Sequence, residues 1–118
     1  MVTATLWMVA SMTWAADPVP ESNVVQLPVA GDPTISFRLW FRVGAQNDPP
    51  GKEGLAALTG SMLAEASTEQ NPYDRILERL YPMAAGYSSS TGAEMTVVSG
   101  RVHRDNLNDY YPLLAQAV

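Results

Sequence analysis

The chain has 118 residues, with seven Lys or Arg against twelve Asp or Glu, a net charge of −5, and a 47% hydrophobic fraction beside 16% charged residues. That length holds at most one domain of ordinary globular composition, and an acidic balance with no basic run excludes a nucleic-acid footprint. With no cysteine and a single histidine, His103, the chain forms neither disulfides nor thiolate metal sites, nor any site that takes two imidazoles from one copy.

Residues 1–16 are apolar and uncharged through Leu6-Trp7-Met8-Val9-Ala10, then small at Thr13, Ala15 and Ala16 before the first charge, Asp17. This is the pattern of a secretory signal peptide, although no Lys or Arg precedes the apolar stretch. The segment is shorter than the roughly twenty residues of a membrane span, so no stable span is expected. The expectation is export to the periplasm or cell envelope, leaving residues 17–118 as the folded portion.

After Asp17-Pro18-Val19-Pro20, the run Val24-Val25-Gln26-Leu27 reads as a short strand. The turn residues Ala30-Gly31-Asp32-Pro33 lead from it into a hairpin. The second arm alternates, with Ile35, Phe37, Leu39, Phe41 and Val43 on one face and Ser36, Arg38, Trp40 and Arg42 on the other. The loop Gly44 to Gly51 breaks it. A helix is predicted over Glu53 to Ala66, burying Leu55, Leu58, Met62 and Leu63. A second helix opens with Asn71 as N-cap and Pro72 at its first position, and carries Tyr73, Ile76, Leu77, Leu80 and Tyr81 as its apolar stripe. Tyr87 to Thr91 and Met95 to Val102 read as strands around the Gly92-Ala93 turn. A last helix starts at an Asp105 N-cap and places Leu107, Tyr110, Tyr111, Leu114 and Val118 at helical spacing, with Pro112 arguing against a straight axis. The expected architecture is α+β, with helices packed on one face of a mainly antiparallel sheet.

Two blocks carry a resemblance: Leu39-Trp40-Phe41-Arg42-Val43-Gly44, and Asp48-Pro49-Pro50-Gly51-Lys52-Glu53-Gly54-Leu55-Ala56. Together they resemble the N-terminal part of insulinase/pitrilysin-like zinc peptidases, and the similarity runs from about Val24 to Val118. In active members a helix with the inverted zinc motif H-x-x-E-H follows at once. Here Ala57 stands at the first histidine, Gly60 at the glutamate and Ser61 at the second histidine. A methyl group, a hydrogen and a neutral hydroxyl neither hold zinc nor take a proton from water. The family's third ligand, a glutamate, would fall beyond Val118, which reads as an incomplete peptidase domain. Glu65, one turn past Ser61, reads as a solvated acid. The resemblance therefore implies no catalytic residue, no metal site and no cofactor in this chain, with zinc expected only in a ligand-complete relative or partner.

In active relatives an Asn-Ala pair on the strand before the second hairpin turn offers backbone to the substrate, and the matching positions here are Ser88-Ser89. Backbone pairing needs no particular side chain, so Ser88, Ser89, Ser90 and Thr91 are the candidate peptide-binding residues. His103 reads as a loop residue, since no nucleophile context accompanies it. Tyr110-Tyr111 read as core and surface packing, and Trp40 as a contact for a partner or a missing part of the domain. The resemblance implies a non-catalytic partner of a motif-bearing peptidase subunit acting on peptides. The alternatives are a stand-alone peptide-binding or scaffolding module, or a fragment of a longer gene.

Overall fold

The computed structural model describes residues 23–118, so the expected signal peptide lies outside the described residues. Residues 23–30 form no strand, and Val24, Val25, Leu27 and Val29 are exposed. The predicted first arm of the hairpin is therefore absent. Its four-residue run is closed by Pro28, too short a ladder to hold itself.

From Gly31 onward the chain folds as β1 (Thr34–Phe41), α1 (Leu55–Glu65), α2 (Tyr73–Leu80), β2 (Gly86–Thr91), β3 (Thr96–His103) and α3 (Leu107–Ala117). The strands form an antiparallel sheet in the order β1-β3-β2. This is the α+β architecture expected from the sequence, with β3 central. Register puts Phe37 opposite Gly100 and Tyr87 opposite Gly100 on one face, and Arg38 opposite Ser99 and Ser88 opposite Ser99 on the other.

The inner face meets the helices. Ile76 and Leu80 of α2, Val98 and Val102 of β3, and Tyr110, Leu113 and Leu114 of α3 make the core, with Phe37, Leu63, Met83, Ala85 and Tyr87 packed against it. Tyr110 is the hub: its ring lies 6.0 Å from Phe37 and 6.4 Å from Tyr87, and its hydroxyl donates to the Gly86 carbonyl at 3.1 Å. Burial, helped by Tyr87, pushes its pKa up to about 12. An unfolded tyrosine titrates near 10, so this stabilisation is complete below about pH 10 and is lost as pH rises towards 12. Urea titrations across that window should show the loss in the native protein and a flatter profile in Tyr110→Phe.

Helix faces differ from the periodicity in all three helices: of the predicted stripes, Leu77, Tyr81, Leu107 and Val118 are exposed. Tyr111 is exposed, whereas Leu113, not anticipated, is buried in α3. In α1 the large residues Leu55, Leu58 and Met62 are exposed, and the helix buries Gly60 and Ala64 instead. Small residues let the helix approach the sheet closely, and that geometry outweighs burial of the larger side chains.

Helix starts also depart from expectation. Gly54 caps α1 at φ 94, a left-handed conformation suited to glycine. Asp48 takes two of the donors at this end, its carboxylate accepting from Gly54 N–H at 2.6 Å and Ala56 N–H at 2.8 Å. A carboxylate there satisfies orphan donors and complements the helix dipole. Asp48→Ala should cost about 1–2 kcal/mol in urea unfolding, with Asp48→Asn retaining part of it. In α2 the cap residue is Pro72, not Asn71, and Ser67 Oγ accepts from Tyr73 N–H at 3.0 Å. The Asn71 amide instead donates to Gln116 at 2.6 Å, tying α2 to α3. A short 3-10 turn, Arg104–Asn106, precedes α3, whose cap is Asn106, not Asp105. His103 caps that turn, its Nδ1 accepting from Asp105 N–H at 3.3 Å, a structural role for the one histidine.

Candidate functional site

Two of the sequence-selected features, the motif positions on α1 and the edge strand β2, meet in space. Gly60 is buried against the inner face of the sheet. A Cβ built there would lie 2.6 Å from Thr91 Oγ1, 2.9 Å from Ser89 Oγ and 3.2 Å from Thr96 Cγ2. Thr91 and Thr96 share a hydrogen bond of 3.1 Å, and Thr96 donates to the Val43 carbonyl at 2.9 Å. The Ser89 hydroxyl is buried with no partner among the described residues. A hydroxyl cluster from two strands thus fills the space where a side chain at position 60 would go.

Ala57 and Ser61, one helical turn apart, are exposed, as are Leu58 and Met62 beside them. Glu65 is exposed as well, one turn further on. Among the described residues no three His, Cys, Asp or Glu side chains come together as a metal site would need. No helix among them is long and apolar enough to cross a membrane.

The candidate peptide-binding run divides between the faces of β2. Ser88 and Ser90 are exposed on the outer face, while Ser89 and Thr91 are partly buried under α1. Only β3 pairs with β2 among the described residues, so alternate backbone N–H and C=O groups of β2 face away from the sheet. The sequence reading did not find Thr96. Its only signal was a mid-helix glycine, Gly60, which marks close backbone approach without naming what approaches.

The sequence pattern of Insulinase (Peptidase family M16) matches residues 24–118. The chain belongs to the insulinase family. Among solved structures, this insulinase-family chain is similar to the peptidase M16 inactive domain from Pseudomonas fluorescens, with a TM-score of 0.65 and 25% identity over 72% of this chain and 21% of that one. It is also similar to pitrilysin, with a TM-score of 0.60 and 27% identity over 71% of this chain and 9% of that one. It therefore spans about a fifth and about a tenth of those chains. No curated protein sequence matches it.

Zinc, which the family implies, does not fit these residues. The three motif positions offer one hydroxyl between them, and the middle one is closed by Ser89, Thr91 and Thr96.

Proposed function

We propose that the chain is a non-catalytic insulinase-family homologue that offers the β2 edge to extended peptides and works as the partner of a motif-bearing peptidase subunit. The observation that carries this reading is the packing at Gly60. The position that would bear the catalytic glutamate is closed by the strand itself, while no described strand pairs with the outer edge of that strand. Main-chain addition to such an edge gives affinity without metal or nucleophile. The likeness to a domain described as inactive supports the same reading. Export to the periplasm or cell envelope belongs to the proposal through residues 1–16, an apolar stretch ending in the small residues Thr13, Ala15 and Ala16.

Co-expression with a ligand-complete insulinase-family subunit should give a complex on gel filtration and faster cleavage of extended peptides than that subunit achieves alone. Absence of both would overturn the partner role. Peptide binding to the isolated chain, with no complex formed, would favour a stand-alone binding module.

A further inference from the structure

The outer face of the sheet carries short hydroxyls and two guanidinium groups, with Trp40 and Val97 at one end. Its rows are Ser36, Arg101 and Gly86, then Arg38, Ser99 and Ser88, then Trp40, Val97 and Ser90. Among the described residues no carboxylate belongs to these rows. Neither Arg38 nor Arg101 forms an ion pair among the described residues. Asp32, held low mainly by its hydrogen bond from Thr34 N–H at 2.8 Å, is the acid whose field Arg101 feels, and only weakly. Among the described residues both Arg38 and Arg101 thus lack an ion-pair partner, in a chain whose net charge is −5.

Gly86 is what gives the arrangement direction. It is the β2 residue opposite Arg101, and it has no side chain to stand between Arg101 and the open edge. The result is a shallow, open depression of about 480 Å³ lined by Arg38, Arg101, Gly86, Ser88 and Ser99 among others. A peptide strand added beside β2 places an outward side chain opposite Gly86, two strand spacings or about 10 Å from the Arg101 backbone. An arginine and a glutamate together span that gap. Opposite Ser88 and Ser90 an added strand first meets a hydroxyl, with Ser99 and Val97 behind them.

We propose that this depression is a specificity pocket for an acidic side chain of the docked peptide, read chiefly by Arg101 across Gly86, with Arg38 deepening the positive field. This rests on the reading of β2 as the peptide edge and names the peptide class it selects: extended segments with Asp or Glu at one outward position. The pair is solvent-exposed, so it sets a preference of a few fold and supplies little of the total affinity.

The test uses blocked Thr/Val octapeptides carrying Glu, Gln or Lys at each outward position in turn, titrated into the full chain while the amide signals of Gly86 to Thr91 are followed by NMR. The expected result is about threefold tighter binding for Glu than for Gln at one position only, weaker binding for Lys there, and loss of the difference in Arg101→Gln. The Glu preference of the native chain should also vanish in 1 M salt, where screening acts within about 3 Å. Equal binding of the Glu and Gln peptides, with β2 signals still perturbed, would overturn the pocket and leave edge pairing standing. Persistence of the preference in Arg101→Gln would overturn the assignment to Arg101. No perturbation of β2 by any peptide would overturn both.

Discussion

Gly60→Ala is expected to destabilise the domain by about 1–3 kcal/mol, and Gly60→Glu to unfold it or release α1 from the sheet. On an ordinary helix the first change would help, because alanine is favoured over glycine by about 1 kcal/mol. The sign reverses here because the new methyl would sit 2.6 Å from Thr91 Oγ1 and 2.9 Å from Ser89 Oγ, on rigid strand positions. Glutamate adds a charge in a closed space where Thr91 and Thr96 are already committed to each other and to Val43, leaving the Ser89 hydroxyl as the single free donor. Urea unfolding followed by circular dichroism gives the magnitudes, and Thr91→Ala in the Gly60→Ala background should recover part of the loss. If Gly60→Ala were stabilising, α1 would not be seated on β2 as described. The consequence for function is that Ala57→His, Gly60→Glu and Ser61→His together should not yield a zinc peptidase. Restoring the letters of the motif without first clearing Ser89, Thr91 and Thr96 removes the fold that would present them.

The strands around the second turn and all three helices were legible because their periodicities are local. Tyr87 to Thr91 gained one residue at its start, Met95 to Val102 shifted by one residue to Thr96–His103, and the helix over Glu53 to Ala66 was trimmed to Leu55–Glu65. The buried face of α1 was not legible. A helix with Leu55, Leu58 and Met62 on one side and Gly60 and Ala64 on the other looks amphipathic in the usual sense, yet close approach to a sheet favours the small side. Nothing in a single sequence says which neighbour a helix will meet. The cap of α1 was hidden for a related reason. Asp48 acts from six and eight residues away, through a loop whose prolines and glycines predict only a break. The motif positions were placed by the family resemblance, and the composition alone offered no hint that Gly60 and the serine strand would touch. Arg38 and Arg101 sit 63 positions apart by number and are brought near each other only by the β1–β3 register, in which they face Ser99 and Ser36.

Gly100→Ala should cost about 2–3 kcal/mol, although glycine within a strand is ordinarily a weakness that alanine relieves. A Cβ at Gly100 would run into the Tyr110 hydroxyl and lie 2.8 Å from Phe37 Cε1, the two rings that meet over the centre of the sheet. The two obstacles can be separated. Tyr110→Phe deletes only the hydroxyl and its bond to the Gly86 carbonyl, a loss of about 1 kcal/mol by itself. In that background the Gly100→Ala penalty should fall, giving a coupling of about 1 kcal/mol in a double-mutant cycle, since the residues share one contact. Strict additivity would instead place the whole cost on Phe37. The cycle bears on function because the Tyr110 hydroxyl is the anchor that ties α3 to the first residue of β2. A methyl at position 100 that displaces Tyr110 frees Gly86, loosens the end of the edge nearest Arg101, and should weaken peptide pairing there more than at Thr91, where the strand is held by Thr96.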